Sequence, residues 1–432
     1  MKNLEIINNR LHIGGLDCTE LAKKFGTPLY VLNERQIRES CRSFSEPLKR
    51  AYPDSQVVYA SKALSNTAVY RIIADEGLGA DVVSGGELCT ALAAGFDPKM
   101  LYFHGCNKTK DEILLALQSG VHAIVIDSYS EAEYLAEIMD EINAEPINVL
   151  VRINPGVNAH THRHVQTART DSKFGVSISD GSALKTIKYI MSSLKMNFLG
   201  LHCHIGSQIF ELEPYRLVIE TFTRFAAENG LPLKEINIGG GAGIKYTEED
   251  APFDRAEFAE FIIHTLKENL VKYNIPAPKL VIEPGRAIVA EAGITLYTVG
   301  AVKTADAKKY VFVDGGMYDN PRYALYQAKY SAVLANRAAE TPTETITIAG
   351  RCCESGDIIA DGVELPAADR GDILAVLSTG AYNYSMASHY NRNFVPPTVL
   401  INNGQAEYIV KPETYEDLVR NDVIPERLQK NK

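Results

Sequence analysis

Eight short apolar runs recur along the first two-thirds of the chain, at 57–61, 79–84, 101–105, 123–127, 147–154, 197–203, 235–239 and 279–283. Their length and β-branched content predict buried strands. Between them, segments such as Gly86 to Gly95, Asp111 to Gly120 and Asp254 to Tyr273 carry apolar residues at helical spacing. Strands that alternate with helices pair in parallel, and eight such units predict a closed (β/α)8 barrel over 34–290. An open doubly wound sheet is the alternative. Against it, no Gly-x-Gly-x-x-Gly opens a helix after the first strand.

Beyond about residue 290 the texture changes. Runs at 293–303, 309–315, 344–350, 372–377 and 398–402 are β-rich and joined by turn residues rather than regular helices, which predicts antiparallel pairing. Leu29-Tyr30-Val31-Leu32 is strand-like as well. Residues 1–33 are therefore expected to join 291–432 in one discontinuous β domain. No internal repeat stands out beyond the barrel rhythm, and no low-complexity linker separates the parts.

Composition narrows the function classes. At 432 residues and 46% hydrophobic, the chain can bury more than one core. A formal net charge of −10 and the lack of a basic run argue against binding to nucleic acid or acidic membranes. The first thirty residues carry Lys2, Glu5, Arg10, Asp17, Glu20, Lys23 and Lys24 without an apolar signal segment, and no stretch nears the length of a membrane span. The seven cysteines are scattered without CxxC spacing, which supports neither a zinc site nor a disulfide framework. A reducing cytoplasm is the expected compartment.

The polar residues that break the apolar pattern fall at strand ends, the face on which barrel active sites are built. Lys62 closes the first run, and a desolvated amine there could attack an aldehyde, as a Schiff-base lysine must. Asp81 and Ser84 end the second. The sixth ends in His202-Cys203-His204-Ile205-Gly206-Ser207. His202 and His204 alternate along a strand, so only one is expected to face the mouth, and a shared metal is not expected. Gly239-Gly240-Gly241 form either a turn or an anion nest. Glu283 ends a buried strand and requires a cation, either Arg286 or a protonated pyridine nitrogen. His160-x-His162-x-His164 follows Asn154-Pro155-Gly156 and reads as a polar loop rather than a metal site. Lysine, imidazole, phosphate nest and ring-facing acid together are the parts of a pyridoxal 5'-phosphate (PLP) site.

With those parts in order, the chain resembles the fold-type III PLP-dependent decarboxylases over nearly its whole length. The motifs that carry the likeness are Tyr59-Ala-Ser-Lys62, Arg152-Ile-Asn-Pro-Gly, Asp171-Ser-Lys-Phe-Gly, His204-Ile-Gly-Ser207, Gly239-Gly-Gly241, Glu283-Pro-Gly-Arg286, Cys353-Glu354-Ser-Gly-Asp357, Gly380-Ala-Tyr382 and Ser385-Met-Ala-Ser388. The resemblance implies that Lys62 carries PLP, that His204 stacks on it, and that Glu283 meets the pyridine nitrogen. It also places Ser207, Gly239, Gly240, Gly241, Pro284, Gly285, Arg286 and Tyr382 around the cofactor. Arg286, Arg322, Tyr326, Glu354 and Tyr382 are implied to hold the substrate, and Cys353 to donate the proton. Cys353 and Glu354 are implied to serve the partner's site in a homodimer. Glu354 is the discriminating position, because the related ornithine and arginine decarboxylases carry Cys-Asp. The activity implied is decarboxylation of meso-2,6-diaminopimelate to L-lysine, the last step of lysine biosynthesis. A decarboxylase of ornithine, lysine, arginine or carboxynorspermidine is the nearest alternative; a racemase and a PLP carrier are more distant ones.

Overall fold

The eight predicted strands form, as Ser55–Ala60, Gly79–Val82, Leu101–Phe103, Ala123–Ile126, Ile147–Asn154, Met196–His202, Glu235–Asn237 and Lys279–Ile282. Each pairs in parallel with the next, and the eighth pairs with the first, so the sheet closes into a barrel. The computed structural model describes residues 4–156 and 172–429. Asp171 and the histidines at 160, 162 and 164 lie outside the described residues.

Closure buries both faces of every strand, which is why the runs are apolar throughout rather than alternating. Val58, Tyr102, Ala123, Val125, Leu150 and Val281, drawn from five strands, pack as one buried cluster. The helices that follow the strands start abruptly. Asn66, Ser84, Thr109, Ser128 and Asp254 each accept a backbone N–H of the first turn of a helix. Such caps satisfy amides that would otherwise be orphaned, and after the first four strands they let the chain enter a helix within a few residues.

By its internal packing the chain divides into Glu34–Ala292, which holds the barrel, and Met1–Asn33 with Gly293–Lys432. In the second unit the long strand Gly293–Ala305 pairs antiparallel with Leu29–Asn33 and Ile373–Leu377 along its first half. From Val299 onward it pairs with Lys308–Val313, with a register break between Val299 and Ala301. Leu29, Val31, Ile294, Leu296, Ala375, Val399 and Ile401 form the buried core of this sheet. Two pairings depart from the antiparallel expectation. Lys308–Val313 runs parallel to Glu344–Ala349, and Leu29–Asn33 runs parallel to Thr398–Asn402. Among the described residues, no helix is long and apolar enough to cross a membrane.

One glycine is dictated by barrel closure. The sixth strand shifts register between Phe198 and Gly200. A Cβ on Gly200 would stand 1.8 Å from the Glu235 carbonyl oxygen of the seventh strand. Gly200→Ala is therefore expected to destabilise the barrel by about 3 kcal/mol, the upper part of the overpacking range. Denaturant midpoints measure it. Gly86→Ala, whose added carbon meets only Ser84 Oγ at 3.7 Å, serves as the control and should leave the midpoint unchanged.

Candidate active site

The barrel rim is organised around one buried carboxylate. Glu283, 5% exposed, follows directly on the eighth strand. Its Oε1 accepts from Asn237 Nδ2 at 2.8 Å, and its Oε2 lies 3.0 Å from His202 Nε2. His104 Nε2 stands 3.1 Å from Oε1, close enough for attraction though poorly aligned for a hydrogen bond. His104 follows the third strand, while His202 and Asn237 are the last residues of the sixth and seventh. Thus four strand ends meet at one acid. Burial alone would raise the Glu283 carboxyl, but His202 and His104 outweigh it and hold the group well below the usual carboxylate range. Burial in turn lowers His202 to about 4, only partly offset by Glu283. His202 is therefore neutral at pH 7, and it steadies Glu283 through an N–H dipole rather than a full charge.

Two expectations change here. Arg286, one of the two cations expected for Glu283, bonds to Ser207 Oγ at 2.8 Å and to the Tyr246 hydroxyl at 2.7 Å. The alternation of His202 and His204 fails because the strand ends at His202. His204 lies past that end with its Nδ1 accepting the Gly240 N–H at 3.4 Å. Both imidazoles therefore come within electrostatic reach of Glu283. Burial, followed by the charges of Lys62 and Arg152, holds His204 well below the normal imidazole range.

Lys62 also differs from expectation. The first strand stops at Ala60, and Lys62 sits in a 3-10 turn, Ser61–Ala63. That turn swings the side chain out of the strand, and Lys62 is exposed rather than stripped of water. Its charge acts on Asp81, Glu87 and His204. Asp81, anchored by the Ser61 N–H at 2.9 Å, is raised to about 6 by burial and by Glu283, against the pull of His104 and Lys62. The Lys62 turn is held beside the Pro284-Gly285-Arg286 turn, because Ala60 N–H donates to the Pro284 carbonyl at 3.2 Å. A Cβ on Gly285 would meet the Ala60 carbonyl oxygen at 2.8 Å.

The glycine run is tighter than an open anion nest. The Gly239 N–H donates to Asn237 Oδ1 at 2.9 Å, and the Gly240 N–H faces His204. A Cβ on Gly240 would lie 1.9 Å from the Glu283 carbonyl oxygen. These glycines thus allow close backbone approach between strands, and Gly239 and Gly241 take φ of 71° and 111°.

The second unit carries two separate groups. Arg322, 6% exposed, donates to the Tyr330 hydroxyl at 2.8 Å and lies 5.9 Å from the Tyr382 ring centre. Tyr326 ends the same short helix, Arg322–Tyr326. Cys353 and Glu354 are exposed, so Cys353 is not a buried apolar thiol. Cys353 N–H donates to Asn391 Oδ1 at 2.9 Å. Burial and Asp357 push the neighbouring Cys352 thiol up to about 12. Buried Asp357 shapes this loop, accepting the amides of Met317 and Cys352 at 2.6 Å each.

Sequence reasoning missed His104, Asn237, Tyr246 and the organising role of Asp357. The strand-end rule applied to the third and seventh runs would have found the first two. Tyr246 and Asp357 sit in loops, where no periodicity points to them.

The pyridoxal-binding domain of the pyridoxal-dependent decarboxylases matches residues 34–290. A diaminopimelate decarboxylase of Bacillus subtilis (strain 168) is 46% identical, covering 96% of this chain and 96% of that one. One from Staphylococcus aureus (strain COL) is 44% identical, over 96% and 98% respectively. Among solved structures, diaminopimelate decarboxylase from M. jannaschii in complex with L-lysine matches with a TM-score of 0.93 at 37% identity, over 99% of both chains. A lysine/ornithine decarboxylase of Vibrio vulnificus with putrescine matches at 0.75 and 25% identity, over 89% of this chain and 97% of that one. This chain belongs to the diaminopimelate decarboxylase family of pyridoxal-dependent decarboxylases.

Proposed function

We propose that this protein uses PLP to release one carboxyl group of meso-2,6-diaminopimelate as CO2, leaving L-lysine. The observation that carries the reading is Glu283. A carboxylate has about four lone-pair directions. Asn237 takes one on Oε1, with His104 close beside it, and His202 takes one on Oε2, which leaves a direction on Oε2 for a further donor. A protonated pyridine nitrogen, a single N–H donor, suits that direction. The donor set fits the cofactor.

Lys62 would hold the cofactor by its aldehyde carbon, and its exposed position at the rim leaves the amine accessible. His204 would lie against the ring, uncharged, so that it adds no positive charge beside the ring. Arg286, fixed by Ser207 and Tyr246, would bind phosphate with Ser207, Gly239, Gly240, Gly241, Pro284, Gly285 and Tyr382 about it. When bound, the cofactor supplies an electron sink for the pair left at Cα as the carbon–carbon bond to CO2 breaks. The chain then has to return one proton to Cα, and the exposed Cys353 thiol is assigned that step. Arg322 and Tyr326 would grip the distal carboxylate, and Glu354 the distal ammonium. A homodimer in which Cys353 and Glu354 serve the partner's site follows from the same reading, and their exposure supports it.

Three outcomes are expected. With PLP added, kcat/KM for CO2 release from meso-2,6-diaminopimelate should exceed that for ornithine, lysine or arginine by at least about a hundredfold, as for sites that hydrogen-bond a group the competitor lacks. Faster turnover of any of those three reverses the substrate assignment. Lys62→Ala and Cys353→Ala should each be nearly inactive. If the sites are shared, exchanging their subunits should restore roughly a quarter of wild-type activity, from the one intact site formed in mixed dimers. No recovery from demonstrably mixed dimers would rule the sharing out. In alkylation followed by peptide mass mapping at pH 8, Cys353 should react before Cys352, whose thiolate is scarce.

A further inference from the structure

Glu283 can act on a ring nitrogen in two ways, since one proton lies between two bases. Either the carboxylate stays ionised and the ring carries the proton, or the acid keeps it and the ring is neutral. The donors behind Glu283 decide between these states, because each N–H given to a carboxylate favours its ionised form. His202 is the best-aligned imidazole donor, with Nε2 at 3.0 Å from Oε2. It is 1% exposed, and its Nδ1 has no hydrogen-bond partner among the described residues. A doubly protonated ring would strand an N–H in the core, so the proton sits on Nε2 and points at Glu283. Asn237, fully buried, holds Oε1 from the other side and is itself fixed by the Gly239 N–H.

We infer that His202, assisted by Asn237 and His104, is the positioning residue that keeps Glu283 ionised and so places the proton on the cofactor's ring nitrogen. The inference rests on the proposal that Glu283 faces that nitrogen. Among the described residues, other charged or titratable groups around this cluster include Asp81, Glu87, Lys62, His204, Arg152, Tyr102 and Cys203. The ligand atoms of His104, His202 and Glu283 also lie within 4.8 Å of one another, as a metal site requires. The Asn237 N–H aimed at Oε1 argues against a cation there, since it presents a positive hydrogen to the same oxygen.

The test uses holoenzyme reconstituted with PLP labelled with 15N in the ring, and reads the ring-nitrogen chemical shift. Wild type should show a protonated nitrogen. His202→Leu should move the shift toward the unprotonated value and weaken PLP binding by about tenfold, the worth of one hydrogen bond to a buried charge. His202→Gln, which returns an N–H at the same reach, should restore both. His202→Met is the second apolar variant if the leucine does not fold. If Glu283→Gln leaves the nitrogen protonated, Glu283 does not face the ring and the functional reading fails. If Glu283→Gln shifts the signal but neither apolar His202 variant does, only the role given to His202 falls. Stoichiometric metal in the purified holoenzyme, lost on His202→Leu, would also overturn it.

Discussion

A buried charge is the constraint around which the barrel rim is arranged. An ionised carboxylate in the core is costly unless donors surround it, and Glu283 has donors supplied by separate strand ends. Those donors can converge only if the sheet closes, because the third, sixth, seventh and eighth strands must all end near one point. In an open sheet the edge strands would be too far apart to share an acid. Closure, the acid and the site are thus one requirement expressed at three levels.

Close backbone approach is the second consequence of that convergence. Side chains of ordinary size at 239, 240 and 285 would strike the carbonyls of Cys203, Glu283 and Ala60. The glycines let strand ends come together, and the Gly239 and Gly240 N–H groups bond to the Asn237 and His204 side chains. The same geometry ties the Lys62 turn to the Arg286 turn through Ala60 and Pro284. Backbone contacts thus set where these residues leave the chain, and side-chain bonds then fix the acid and the guanidinium.

The barrel was legible in the sequence because burial on both faces leaves continuous apolar runs, whose spacing survives in composition alone. The site was legible in part. Lys62, Glu283 and His204 interrupt those runs and so stand out, whereas His104 and Asn237 only extend theirs. The expected desolvation of Lys62 failed because a strand end and a 3-10 turn look alike in Tyr-Ala-Ser-Lys. In the second unit the strand Ile358–Leu365 was missed, since Asp361-Gly362 in its middle reads as a turn. Gln405–Val410 was missed as well, because it is a polar strand with little burial. The parallel pairings there depend on chain crossings that no local pattern records.

The buried acids of this protein differ in charge for reasons that burial alone does not supply. Asp319 is fully buried, accepts from Tyr297 and the Gly316 N–H, and is raised to about 8 by burial, with Asp314 and Asp357 adding to the effect. It is mostly protonated at neutral pH and serves as a neutral packing and hydrogen-bonding group. Asp81, with one backbone donor and with His104 and Lys62 nearby, stops at about 6. Glu283, comparably enclosed, lies far below both. The order follows the number and sign of the groups turned toward each carboxylate, not the depth at which it sits. An acid meant to support structure can be left to neutralise itself. One kept ionised must be prevented from doing so, and around Glu283 two histidines and an asparagine stand in the barrel wall.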